Sequence, residues 1–151
     1  MSKQAIETVQ RFIAALEARD WRAVARHLTG DFVFSGPPQP LRRDGFLALM
    51  KALGNALPDW SFNLHDIQYA AGGTVSAKMR ITGTHTARLA LPMPGLPPLP
   101  PTGKKVALPE ECVEFVPAGD KVAAFAIIPV PGGGISGLLR QLGAELPVQQ
   151  T

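Results

Sequence analysis

Cysteine is almost absent from this sequence: the chain of 151 residues contains one, Cys112. A single thiol cannot form a disulfide within the chain or supply a multi-cysteine zinc site. The three histidines are scattered along the chain and lack the short spacings that are typical of a metal site. We therefore expect no disulfide framework, no metal and no other cofactor.

Long apolar runs and clustered positive charge are missing as well. No apolar stretch is long enough to span a bilayer, and the first residues do not resemble a signal peptide. The net charge is +3, and Arg42-Arg43 and Lys104-Lys105 are the only basic doublets. A nucleic-acid surface normally needs clustered Lys and Arg. The sequence thus predicts no membrane or nucleic-acid partner and a cytoplasmic location.

The N-terminal third of the chain has the periodicity of helices. Apolar residues recur at helical spacing over residues 4–19, which predicts an amphipathic helix. Asp20 is placed to cap a second, short helix, which Gly30 would end. Asp44 is placed to cap a third helix.

The remainder of the chain has mainly the alternation of strands. A change of parity near His65-Asp66 predicts a bulge, and the run 122–128, apolar on both parities, predicts a central strand covered on both faces. A short helix or turn is expected at 135–142. Helices followed by strands joined in hairpins predict an α+β fold with helices on one face of a curved antiparallel sheet. The other predicted strands are 31–34, 60–69, 74–86 and 106–116.

One long hairpin, residues 79–116, carries the most informative motifs. Its strands contain Gly83-Thr84-His85-Thr86 and Pro101-Thr102-Gly103-Lys104, and a proline-rich loop, 92–101, lies between them. With the ending Gly-Leu-Leu-Arg-Gln-Leu-Gly at 137–143, these motifs resemble the SnoaL-like polyketide cyclases of the nuclear transport factor 2-like superfamily. The resemblance implies one domain, 1–151, shaped as a cone with an interior pocket, with a loose tail at 144–151. A homodimer through the outer sheet face is also expected.

His85 and Glu111 are the candidates for acid/base chemistry. His85 shares the parity of the buried residues in its strand, and the resemblance implies that this histidine lines the cavity. The alternative is a histidine bound to a backbone carbonyl at a strand end. Glu111 shares parity with Val113 and Phe115, and an inward carboxylate would have a raised pKa. A slip of one residue would instead turn Glu110 inward, or neither.

Apolar residues from the helices and the sheet are candidates for the walls of a small-molecule pocket. Each of them, taken separately, fits an ordinary core better; together, apolar residues with few polar groups are what such a pocket is made of. The candidates are Trp21, Phe34, Leu49, Leu53, Trp60 and Met79.

The sequence departs from the SnoaL-like cyclases at one important place. The resemblance implies an acid/base Asp on the last strand, but residues 129–134, Pro-Val-Pro-Gly-Gly-Gly, contain no carboxylate. Three hypotheses follow. The first is a cofactor-free cyclase, isomerase or hydrolase that acts on a hydrophobic, polyketide-like or cyclic molecule, in which His85 and Glu111 transfer protons and Glu111 takes the role of the Asp. The others are a non-catalytic binder of a hydrophobic small molecule, and a protein-interaction module that uses the proline-rich loop.

Overall fold

The computed structural model describes residues 2–36, 40–70, 72–92 and 96–144. Part of the predicted proline-rich loop, 93–95, and most of the predicted tail, 145–151, lie outside the described residues. Within the described ranges the chain forms four helices and eight strands. The helices are α1 (Ser2–Glu17), α2 (Trp21–Arg26), α3 (Arg43–Ala56) and α4 (Gly134–Gln141). The strands are β1 (Leu28–Ser35), β2 (Leu41–Arg42), β3 (His65–Tyr69), β4 (Val75–Met79), β5 (Thr82–Thr84), β6 (Lys105–Ala107), β7 (Glu111–Ala118) and β8 (Lys121–Ile127).

The helix boundaries confirm one predicted cap and correct two other predictions. Asp20 accepts a hydrogen bond from the Ala23 N–H at 3.1 Å, as its position before α2 predicted. Gly30 does not end α2; that helix ends at Arg26, and Gly30 lies in β1. Asp44 is not a cap either, because α3 begins one residue earlier and Asp44 lies in its first turn. There a carboxylate still interacts favourably with the helix dipole.

Six strands form one curved sheet in the order β2-β1-β8-β7-β4-β3, and β5 and β6 form a separate pair. All described pairs are antiparallel except β1 with β8, which run parallel. The helices pack on one face of the sheet, which confirms the predicted α+β class. A cluster of phenylalanines joins the two layers; the ring centroids of Phe46 in α3 and Phe34 in β1, for example, lie 5.2 Å apart.

Two predicted strands are shorter than expected because the sheet bends. The predicted strand 60–69 is regular only from His65, and its register shifts between His65 and Gln68, which confirms the predicted bulge. Asp66, in the bulge, has a positive φ of 55°. The predicted strand 74–86 divides after Met79, so that β4 belongs to the large sheet and β5 to the small one. The small sheet therefore turns away from the large one at this point.

The outer face of the sheet is more exposed than the sequence predicted. β8 lies in the interior of the sheet, between β1 and β7, as expected. Its outer face is not fully covered, however, and Ile128, directly after it, is 47% exposed. No helix among the described residues has the length and apolar character needed to cross a membrane.

The flanks of the proline-rich loop fold back against the protein. Leu89 and Leu99 exchange two backbone hydrogen bonds of 2.9 and 2.8 Å, and the Leu89 side chain is buried. The described part of this segment is therefore packed against the core. Its use as a docking site for another protein stays a prediction.

Candidate functional site

An apolar cavity of about 40 Å³ lies between α3, α4 and the inner face of the sheet. Every described side chain on its wall is aliphatic, aromatic, a thioether or a glycine. The wall includes five of the six residues that the sequence proposed: Phe34, Leu49, Leu53, Trp60 and Met79. The sixth, Trp21, lines a smaller adjoining space that shares Met50, Trp60 and Phe62 with the cavity.

Glu111 points to the buried side of β7, and its neighbour Glu110 points to solvent. The Glu111 residue is 1% exposed. Glu110 instead forms an ion pair on the surface, with 2.8 Å between its Oε1 and Nε2 of His65. Pro109 therefore does not shift the register, and of the two open alternatives the inward Glu111 is correct.

The Glu111 carboxylate lies against the glycine turn that precedes α4. A Cβ built on Gly133 would come within 2.8 Å of Glu111 Oε2, so only glycine leaves room for this carboxylate. Gly133 is also the residue before α4, and no side chain caps the helix. The carboxylate thus lies beside a helix N-terminus, where free N–H groups favour negative charge.

The same turn encloses a second space of about 180 Å³, which we call the Glu111 pocket. Its wall consists of Glu111, Pro129, Val130, Gly132–Gly134, Ser136, Gly137 and Arg140. Gly134 belongs to the walls of both the Glu111 pocket and the apolar cavity. The two spaces therefore adjoin at the first residue of α4.

Both oxygens of Glu111 are buried and have no hydrogen-bond partner among the described residues. Burial raises the pKa of the Glu111 carboxyl, because the charged form loses its hydration. The nearby Gly134 N–H opposes part of this rise in pKa, although it does not form a well-aligned hydrogen bond. A carboxyl group in this state is available to take up or release a proton.

His85 is buried, as predicted, but the side chain that contacts its ring is Thr102 and not Glu111. Its Nδ1 lies 2.9 Å from the Thr102 hydroxyl and accepts a hydrogen bond from the Thr102 N–H. Since Nδ1 is an acceptor, the ring proton of neutral His85 belongs on Nε2. Burial lowers the pKa of His85, which favours this neutral form.

The structure does not bring His85 and Glu111 into contact. His85 lies at the end of β5, where its backbone pairs with residues 103 and 104 across the hairpin. Glu111 begins β7, in the other sheet. The two carboxylate oxygens of Glu111 have no hydrogen-bond partner in the described chain, and the same is true of Nε2 of His85. The two side chains therefore do not form a hydrogen-bonded His–Glu pair.

The glycine turn is the part of the site that sequence reasoning missed. Three consecutive glycines, Gly132-Gly133-Gly134, predict a flexible joint, and the absence of a following Lys-Ser/Thr excludes a phosphate loop, so the sequence did not indicate that this segment encloses a carboxylate. The signal available in the sequence was that three glycines, and no Ser, Thr, Asp or Asn that could cap it, directly precede the predicted helix 135–142. Within the described residues, no three His, Cys, Asp or Glu side chains are grouped so as to hold a metal ion.

Comparison with solved structures gives the same fold in several proteins. AclR from Streptomyces galilaeus, a candidate hydroxylase, is 20% identical with a TM-score of 0.72, over 95% of this chain and 98% of that one. A candidate polyketide cyclase from Pseudomonas putida is 21% identical (TM-score 0.66; 91% and 97% covered). An epoxide hydrolase from M. tuberculosis is 17% identical (TM-score 0.67; 94% and 89% covered).

No curated protein sequence matches this chain significantly. The family model for the SnoaL-like domain, however, matches residues 9–125, which is most of the chain. This match and the structural relatives confirm the resemblance that the hairpin motifs indicated. The chain belongs to the SnoaL-like domain family.

Proposed function

We propose that this protein binds a hydrophobic small molecule in the apolar cavity and that Glu111 transfers a proton to or from it. The observation that carries the proposal is the buried Glu111 carboxyl without a hydrogen-bond partner. Such a group costs folding free energy, which a purely structural role would not explain. It lies beside the apolar cavity, where a bound molecule would come near it.

Proton abstraction from the carbon next to a carbonyl is the reaction that this geometry supports best. The C–H bond breaks, its proton passes to the Glu111 carboxylate, and the electron pair moves to the carbonyl oxygen as an enolate. A raised pKa makes Glu111 a stronger base than an ordinary carboxylate once it is ionised. Return of the proton from Glu111 to another carbon of a conjugated enolate is an isomerisation; attack of the enolate on a second carbonyl, whose oxygen then takes the proton from Glu111, is a cyclisation. Neither outcome requires a cofactor.

His85 has no part in this proposal. Thr102 holds its ring, and His85 is not among the described residues that line the apolar cavity or the Glu111 pocket. We assign it to the stability of the β5–β6 hairpin. In this proposal the Glu111 carboxyl replaces the Asp of the cyclases. Glu111 comes from another strand, but its carboxyl lies against Gly133, in the segment where the Asp was expected.

Deuterium exchange tests the proposal without knowledge of the natural substrate. Cyclohexanone and 1,4-cyclohexanedione are incubated with the protein in D₂O, and loss of the protons beside the carbonyl groups is followed by NMR. Glu111→Gln is expected to remove at least about nine-tenths of the protein-dependent rate. Glu110→Gln, the adjacent exposed carboxyl, is the matched control and should retain it. Equal rates for the wild type and Glu111→Gln would refute the role of Glu111 as a base.

A non-catalytic binder is the second candidate function. The engagement of His85 by Thr102 favours it, because the described site then holds one acid/base group rather than a pair. This function predicts saturable binding of a ketone that is not accompanied by exchange. Titration of the wild type, monitored by tryptophan fluorescence because Trp60 lies on the cavity wall, shows whether the ketone binds, and the deuterium exchange of the same ketone then distinguishes the two functions.

Assembly into a homodimer through the outer sheet face completes the proposal. Val116 and Ile128 are 43% and 47% exposed and lie on that face, which supports burial against a second copy. Sedimentation velocity is expected to show a dimer, and Val116→Glu should shift it towards the monomer. A wild type that is monomeric at high micromolar concentration would refute this assembly.

A further inference from the structure

The wall of the apolar cavity offers almost no hydrogen bonds to a bound molecule. Among the described side chains on the wall, the indole N–H of Trp60 is the single polar group. A carbonyl that enters such a space without a partner loses its hydrogen bonds to water, which lowers affinity by about tenfold or more. A chain with several carbonyl groups would incur this loss repeatedly.

Hydrogen-bond donors lie instead at one end of the cavity, where Gly134 joins it to the Glu111 pocket. The N–H groups of Gly134, Ile135 and Ser136, in the first turn of α4, have no acceptor within the helix, and the residue before the helix supplies no side-chain cap; of these three groups, the Gly134 N–H lies near the Glu111 carboxyl. The N–H of Gly137 is the first to bond within this turn, to the Gly133 oxygen at 3.1 Å. A single oxygen placed here would accept hydrogen bonds, and the helix N-terminus would stabilise negative charge that develops on it.

The size of the cavity limits the body of the molecule. A space of about 40 Å³ holds only a few water molecules, each of which needs roughly 10–15 Å³. Met50 and Met79 lie on the wall, and their flexible side chains can move to admit one ring. Several fused rings would require displacement of the packed phenylalanines Phe34 and Phe125, which also line it.

From these three observations we infer the substrate class of the site. The ligand is a compact, hydrocarbon-rich molecule of about one ring, with a single carbonyl oxygen that the N-terminus of α4 binds, and not a polycarbonyl chain. This inference rests on the proposed function, since it concerns the same cavity and the same Glu111. A ligand with one carbonyl leaves isomerisation, and not cyclisation, as the reaction, in which the N–H groups of α4 hold the enolate oxygen while Glu111 holds the proton.

A matched ligand series tests the inference. Cyclohexanone and 1,4-cyclohexanedione have the same ring and differ by one carbonyl, and binding is measured by NMR titration of the ¹⁵N-labelled protein. Cyclohexanone is expected to shift both the Gly134 amide and the Trp60 indole signals, with the dione bound at least about tenfold more weakly. Equal or tighter binding of the dione would overturn the inference, and so would saturation without any shift at Gly134.

The variant Gly133→Ala isolates the polar end of the site. Its methyl group would meet Glu111 Oε2 and Val130 Cγ2 at 2.8 and 2.9 Å and would narrow the junction with the Glu111 pocket. Cyclohexanone should bind at least about fivefold more weakly to this variant, while cyclohexane, which has no oxygen, should bind as before. Equal weakening of both ligands would contradict an oxygen site at α4. If the variant does not fold, the relative affinities of the wild type for cyclohexanone and for the dione test the inference by themselves.

The failures of the two proposals remain distinguishable. Binding of cyclohexanone at Gly134 without deuterium exchange would refute proton transfer by Glu111 and support the ligand class. Deuterium exchange that depends on Glu111 but occurs with the dione and not with cyclohexanone would support proton transfer by Glu111 and refute the ligand class.

Discussion

Replacement of Glu111 by glutamine is expected to stabilise the protein, and more so as pH rises. Burial raises the pKa of this carboxyl in the folded state above its ordinary value of 4.5. Between the unfolded and folded pKa values, the folded state therefore binds more protons than the unfolded state. The unfolding free energy of the wild type must then fall as pH rises through this interval. The glutamine variant has no such proton to lose.

The structure sets the size of this effect. One group can change the stability by at most about 1.4 kcal/mol per pH unit, over the interval between its two pKa values. Relief of a buried, unpartnered carboxylate is expected to yield about 1–3 kcal/mol at pH 8. In a chain of 151 residues, each kcal/mol raises the melting temperature by about 2–4 °C. Near pH 4, where the wild-type carboxyl is neutral, the two proteins should agree within about 0.5 kcal/mol.

Urea unfolding at a series of pH values, followed by tryptophan fluorescence, measures this difference. Glu110→Gln serves as the control, because Glu110 is exposed and bound to His65, so that its loss should bring no gain at pH 8. Parallel pH profiles for the wild type and Glu111→Gln would refute the reasoning. In that case Glu111 would be ionised or hydrated in the folded protein as in the unfolded chain.

Three further substitutions test the elements that hold the site. Gly137→Ala should destabilise the protein by at least about 2 kcal/mol in urea, because its Cβ would lie 1.9 Å from a backbone oxygen of the glycine turn. Gly30→Ala, with nothing within 4 Å, should be near neutral and is its control. His85→Ala should lower the unfolding free energy by about 2–4 kcal/mol through loss of a buried ring, while the folded variant should still catalyse deuterium exchange of the ketone at the wild-type rate. Loss of this ketone exchange would restore His85 as a catalytic candidate. Gln141→Ala removes two hydrogen bonds, of 3.0 and 2.9 Å, to the Ala107 backbone and should speed amide hydrogen exchange there; unchanged protection of the Ala107 amide would show that the side chain does not tie α4 to β6.

The class of fold followed from local patterns because those patterns are properties of single elements. Apolar residues at helical spacing and strict alternation each specify one buried face, whatever the face later contacts. Asp20 was recognised as a cap for the same reason, since its bond to Ala23 spans three residues. The bulge near His65 was visible as a change of parity within one strand.

Element ends were less predictable where the sheet geometry decided them. Gly30 suggested the end of a helix, but β1 pairs with β8 and draws the chain into a strand from Leu28 onwards. The predicted strand 74–86 is interrupted after Met79 because its second part pairs with β6 rather than with β7. These outcomes depend on partners that are distant in the sequence.

For the site, the sequence by itself identified the candidate residues: parity placed His85 on the inner side of its strand, whereas it left open whether Glu111 or Glu110 faces inward, which the structure decided in favour of Glu111. The sequence also determined family membership, since motif order is a property of the chain. Only the tertiary structure decided what those buried groups contact. Thr102 engages His85, and the glycine turn before α4 receives Glu111, because a hydrogen bond or a close approach requires atoms to meet in space, and spacing along the chain does not specify that meeting.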